Sequence, residues 1–182
     1  CNREGMLVID EAFDGWSHAK NSNNNDYARF FNVKIEESNQ ILGKSQDMTW
    51  GEFDAKAMVK RGINAPSIIM WSLGNEIEEG SSSSGYVELA KNIVDWVSTT
   101  DPTRPITIGE NRIKNNNQTM LTICDYISQH NGIIGFNYAD WATMKRVAGG
   151  TDIRNNWIVY GSEFASHVNS RGVYEVTGGK ND

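Results

Sequence analysis

Five short, nearly continuous apolar runs punctuate the chain: Met6–Ile9, Ser67–Ser72, Pro105–Ile108, Ile133–Asn137 and Trp157–Tyr160. Runs without polar alternation predict parallel strands covered on both faces. Between them, apolar positions recur at helical spacing. Trp50–Arg61 puts Phe53, Ala57 and Met58 on one stripe, and Tyr86, Leu89, Ala90, Ile93 and Val97 follow the spacing of a single helix face. Ser81–Ser84 offer N-cap hydroxyls to this second helix. Asp101-Pro102 and Arg104-Pro105 end it and launch the next strand.

Strands alternating with helices predict an α/β fold with a parallel sheet wrapped by helices. An open doubly wound sheet and a closed (β/α)8 TIM barrel both satisfy that order. No glycine-rich fingerprint follows a strand, which disfavours the dinucleotide-binding form of the open sheet. Acidic residues follow several strands instead: Asp10-Glu11, Glu76, Glu110 and Glu163. Reactive groups at the C-terminal ends of different strands are the habit of the barrel. A whole barrel needs about 250 residues, so the five strands of this 182-residue chain predict an incomplete barrel. Residues 1–182 are expected to form one partial barrel domain of a larger protein, whose remaining domains are expected partners. The long connection from Ser17 to Asp47 is expected over the mouth of the barrel, where loops carry function.

Composition narrows the partners. A net charge of −6 disfavours nucleic acid, which needs a basic face. No apolar run reaches the length of a membrane span, and Cys1-Asn2-Arg3-Glu4 lacks the apolar stretch of an export signal. Cys1 and Cys124 are too few for a disulfide framework, and Asn117-Gln118-Thr119 matches a glycosylation sequon at a level close to chance. His18, His130 and His167 have no metal-ligand spacing, and no metal or cofactor is named for the chain.

The candidate chemistry lies in the strand-end carboxylates. Cleaving a glycosidic bond needs two carboxyl groups flanking the anomeric carbon, one protonating the leaving oxygen and the other attacking the sugar or activating water. Glu76 ends the run Ser67-Ile68-Ile69-Met70-Trp71-Ser72-Leu73-Gly74-Asn75-Glu76. Asn75 beside it is suited to a hydroxyl next to the reacting carbon. Glu163 ends Trp157-Ile158-Val159-Tyr160-Gly161-Ser162, three βα units later, hence across the mouth. Tyr138, after Phe136-Asn137, is placed to donate its phenol to a carboxylate and hold it ionised. Glu110 is the rival nucleophile, and Asp10-Glu11 reads as structural or supporting. Each carboxylate alone reads equally well as a helix cap or an ion-pair partner; the pair is more telling than either member.

These motifs resemble glycoside hydrolase family 2 over nearly the entire chain. Gly5-Met6-Leu7-Val8-Ile9-Asp10-Glu11-Ala12 is similar to that family's third barrel strand, and Asn64-Ala65-Pro66 through Asn75-Glu76 to the fourth. Phe136-Asn137-Tyr138 resembles the sixth and Tyr160-Gly161-Ser162-Glu163-Phe164 the seventh, so the chain is expected to hold about strands 3 to 7. The resemblance implies Glu76 as acid/base, Glu163 as nucleophile, and Asn75, Asn137 and Tyr138 around the substrate. Asp14, Trp16 and Tyr27–Phe31 resemble a branch of bacterial β-galactosidase-like enzymes, which adds Asp14 and Trp16 to the expected substrate-binding set. Departures occur at Asn64-Ala65-Pro66-Ser67, where the family often has histidine in place of alanine, and at Phe13-Asp14-Gly15-Trp16, where many relatives carry a histidine. The implied reaction is retaining hydrolysis of terminal β-glycosides, with galactosides first. β-Glucuronides, β-mannosides and an inactive sugar-binding fragment are the alternatives.

Overall fold

The computed structural model describes residues 1–20, 27–77, 85–115, 117–138 and 157–164. Five parallel strands form one sheet in chain order: β1 (Val8–Glu11), β2 (Ile68–Asn75), β3 (Ile106–Glu110), β4 (Ile133–Asn137) and β5 (Ile158–Glu163). The helices are α1 (Ala28–Phe31), α2 (Trp50–Gly62), α3 (Gly85–Thr100) and α4 (Gln118–Gln129). Each expected strand is present. β1, β2, β3 and β5 run two to three residues further toward their C-terminal ends than the expected runs do, because pairing continues past them. Met6 and Leu7, read as strand, are exposed and precede it. None of the described helices is long and apolar enough to cross a membrane.

The core lies between one face of the sheet and the helices. Trp71, Leu73, Ile106, Ile108 and Phe136 from the strands meet Met58, Val59, Ile93, Val94, Val97, Met120 and Cys124 from the helices in one apolar cluster. In α2 the buried stripe is Gly51, Ala55, Met58, Val59 and Gly62 rather than Phe53, Ala57 and Met58. Two glycines belong to it because the helix approaches its neighbours closely. A Cβ on Gly51 would stand 2.6 Å from the Phe31 ring, and one on Gly62 would stand 2.8 Å from Trp71. The α3 stripe holds through Ala90, Ile93 and Val97, with Val94 added. Its serine cap at 81–84, and Asn21–Asn25 of the long connection, lie outside the described residues. Asn117, part of the sequon, instead caps α4 by accepting the Met120 N–H at 3.0 Å.

At the N-terminal end of the sheet, Asp101 is fully buried. It accepts hydrogen bonds from Trp71 Nε1 (2.9 Å) and Arg104 (2.7 Å) on one oxygen, and from Thr103 on the other. Arg104 also donates to the backbone oxygens of Ile63, Ala65 and Ile68, tying β2 to the turns around it. Burial opposes the charge on Asp101, but these donors outweigh it and hold the carboxyl well below its ordinary range.

Candidate active site

The C-terminal ends of β2, β4 and β5 converge. β2 carries an irregularity between Ser72 and Asn75: Ser72 pairs with Thr107 and Asn75 with Gly109, so three residues answer two. β5 has the same feature at Ser162, with Gly161 opposite Phe136 and Glu163 opposite Asn137. A bulge shifts side-chain alternation by one residue. Uninterrupted alternation from Ser72 would turn Asn75 toward the helices, and from Tyr160 and Ser162 it would turn Glu163 the same way. The two bulges bring both residues into the bowl.

At the bulges and just past them the backbone turns sharply. Gly74, at φ 153°, lets the chain close onto Phe13 and Trp16, where a Cβ would stand 3.0 Å from Phe13 O. Glu76 (φ 46°) and Tyr138 (φ 55°) are left-handed without being glycine, a conformation that surrounding contacts must impose. Those contacts are visible: Glu76 N–H donates to Gly109 O at 2.8 Å, and Tyr138 N–H to Glu163 O at 2.9 Å.

Asn137, 1% exposed, is the hub. Its Nδ2 lies 3.0 Å from Glu76 Oε1 and 2.9 Å from Glu163 Oε1, so these two carboxylate oxygens are within about 6 Å of one another. Ser162 Oγ donates to Asn137 Oδ1 at 2.6 Å, which fixes the amide with its nitrogen toward the glutamates. Tyr138 donates its phenol to the other oxygen of Glu163. Asn75 has two orientations. With its oxygen inward it accepts from Asn137 Nδ2 at 2.8 Å, but that oxygen then faces Glu163 Oε1. Turned over, its nitrogen donates to Glu163 Oε1 and its oxygen accepts from Lys20 Nζ, both at 3.2 Å. We assign the second, because it satisfies two charged partners and removes an oxygen–oxygen contact. A cavity of about 320 Å³ opens beside these groups, lined by Glu11, Ser72, Asn75, Gly109, Tyr160 and Glu163 among others.

The structure therefore brings together Glu76, Glu163, Asn75, Asn137 and Tyr138. It places the other candidates differently. Trp16 is completely buried, with its indole N–H donated to Leu73 O at 2.8 Å. It seats the end of β2 and presents no ring face to a ligand. Asp14 stands at the rim, its side chain 66% exposed and paired with Lys20 at 2.8 Å. Glu110 follows Gly109 and so points the opposite way, into the helix layer. Its Oε1 accepts from the Arg112 backbone N–H and guanidinium, and its Oε2 is buried with no partner among the described residues. Burial pushes its carboxyl above the ordinary range against the pull of Arg112, with the charge of Glu76 adding to the rise. It faces away from the bowl that holds Glu76 and Glu163. Asp10 pairs with Arg61 and Glu11 accepts from Ser72 Oγ. His18 is exposed, His130 packs on Tyr126, and His167 lies outside the described residues.

Two contributors had escaped the sequence reading. Lys20 sits in a polar stretch with no periodicity to single it out. Ser162 lies inside a motif read only for its glutamate.

The family model for the TIM barrel domain of glycosyl hydrolases family 2 matches residues 1–135. The β-galactosidase BoGH2A of Bacteroides ovatus is 31% identical over 169 residues, covering 76% of this chain and 17% of its own length. A Formosa agariphila protein to which β-glucuronidase activity is ascribed by name is 35% identical over 109 residues, covering 60% of this chain and 8% of its own. Among solved structures, a family 2 member from Bacteroides cellulosilyticus is 31% identical with a TM-score of 0.61, covering 89% of this chain and 17% of that one. The chain thus spans about a sixth of the Bacteroides ovatus relative and of the Bacteroides cellulosilyticus structure, and less than a tenth of the Formosa agariphila relative, and its five parallel strands are an arc of a TIM barrel. It belongs to glycoside hydrolase family 2.

Proposed function

We propose that this segment carries the reacting groups of a retaining β-glycosidase. The carrying observation is the shared Asn137 amide: two carboxylates held by one nitrogen have nearest oxygens within about 6 Å. Retaining enzymes separate the pair by about 5–5.5 Å, and inverting enzymes need about 6.5–9.5 Å to admit water. Glu163, held by Tyr138 and Asn137, attacks the anomeric carbon. Glu76 gives its proton to the leaving oxygen as the glycosidic bond breaks, leaving a sugar ester on Glu163. Glu76, now a carboxylate, takes a proton from water, whose oxygen displaces Glu163 and releases the sugar with its original configuration.

The preferred substrate is a terminal β-galactoside, in keeping with the name of the Bacteroides ovatus relative. A uronic acid would call for an uncommitted cation. Among the described residues, Lys20 beside Asn75 is already engaged by Asp14 and Asn75, which favours a neutral sugar. The β-glucuronidase reading rests on the Formosa agariphila relative.

The test uses the complete polypeptide bearing these residues, assayed on chromogenic β-galactoside, β-glucuronide and β-mannoside beside the 182-residue chain. Proton NMR of the first-released sugar is expected to show the β-anomer; the α-anomer would refute retention. Glu163→Gln is expected to remove nearly all turnover with the fold intact, and survival of activity would refute its role as nucleophile. Turnover by the 182-residue chain alone would show that it needs no other domain.

A further inference from the structure

Lys20 follows the turn after β1, and its side chain is only 16% exposed. An ammonium has three protons to place. One goes to Asp14 Oδ1 at 2.8 Å and one to the backbone oxygen of Asn75 at 3.1 Å. The third meets the Asn75 side chain at 3.2 Å, where an oxygen is satisfied and a nitrogen is not. The other end of the same amide lies 3.2 Å from Glu163 Oε1. The two ends have opposite polarity, so fixing one fixes the other.

Three neighbours pull this amide in two opposite directions. Asn137 Nδ2, at 2.8 Å, favours oxygen inward. Lys20 and Glu163, both charged, favour nitrogen inward, and hydrogen bonds to charged groups are roughly twice as strong as neutral ones. Nitrogen inward leaves the Asn75 and Asn137 nitrogens in contact, but Asn137 keeps both glutamates as acceptors for its two protons. Without Lys20 the balance shifts toward Asn137, and an oxygen of Asn75 would face Glu163.

We infer that Lys20 is a positioning residue: it holds the Asn75 amide with its nitrogen toward Glu163 and acts on that carboxylate through Asn75. The catalytic consequence rests on the glycosidase reading above; the amide orientation does not.

The experiment is a double-mutant cycle in the complete polypeptide. Lys20→Met is expected to lower kcat/KM about tenfold or more with Asn75 present, chiefly through kcat, and less than about twofold in an Asn75→Ala background. Lys20→Arg, which keeps the charge and its donors, is expected to recover part of the loss. Equal losses in both backgrounds, or no loss in either, would overturn the inference. A neutron structure of the unmutated protein decides the point independently, including where Lys20→Met does not fold. Asn75 deuterons directed at Glu163 support the assignment, and deuterons directed at Lys20 overturn it. A protein inert on every glycoside defeats the glycosidase reading instead, and leaves the neutron result to stand by itself.

Discussion

Asn75 lies opposite Gly109 across β2 and β3, three residues on from Ser72, while Gly109 is only two on from Thr107. The extra residue aims Asn75 into the bowl, and the missing side chain of Gly109 leaves it room. A Cβ there would stand 3.0 Å from the inward amide atom of Asn75 and 3.1 Å from Asn137 Oδ1.

Gly109→Ala is therefore expected to push both amides off the glutamates. Overpacking of this kind costs about 1–3 kcal/mol of stability. The loss in kcat/KM is expected to be about tenfold or more, since misplacements of about 1 Å are costly to a reaction. Steady-state kinetics read against a thermal melt will separate the two; an unchanged kcat/KM would mean that the amides do not serve the reaction.

Tyr138 gives its phenol to Glu163 from a left-handed residue whose own N–H is tied to β5. Tyr138→Phe keeps the ring and removes one hydrogen bond to a charged group, worth about 1.5–3 kcal/mol. The expected loss in kcat is about ten- to a hundredfold, measured at saturating substrate with melting temperature as the control.

Glu110→Gln tests the carboxylate that faces the helices. Its folded pKa is raised by burial, so ionisation burdens the native state as pH climbs above the ordinary value near 4.5, and the burden levels off above the folded value. The glutamine retains an oxygen for Arg112 and carries no charge. Its stability relative to the unmutated protein should grow with pH across that range, and turnover should survive. Loss of turnover as complete as that of Glu163→Gln would restore Glu110 as the nucleophile.

Asp101 has the opposite sign. Its folded carboxyl is held low by Thr103, Arg104 and Trp71 despite burial. The stabilisation is complete above the ordinary value of 3.8 and is lost as pH falls through the folded one. Asp101→Asn should be less stable near neutrality, and the gap should narrow as pH drops below about 4 in urea titrations followed across pH.

Much of this architecture was legible locally. A buried parallel strand announces itself as an unbroken apolar run, so all five strands could be placed, and a carboxylate just past such a run stands at the C-terminal end of the sheet. That located Glu76 and Glu163. Trp16 shows the limit: an aromatic near a mouth reads alike whether its face is open or packed, and only the Leu73 carbonyl above it and Gly74 beside it decide.

The sequence by itself determined the elements, their order and the strand-end position of each acid, because these follow from hydrophobic period and chain breaks within a few residues. Which acids face one another was decided by tertiary structure. Facing depends on pairing between strands, and a bulge is a property of two strands that no single run records. By local alternation Asn75 and Glu163 would turn outward; the mismatches against β3 and β4 turn them in, while regular pairing sends Glu110 to the helices.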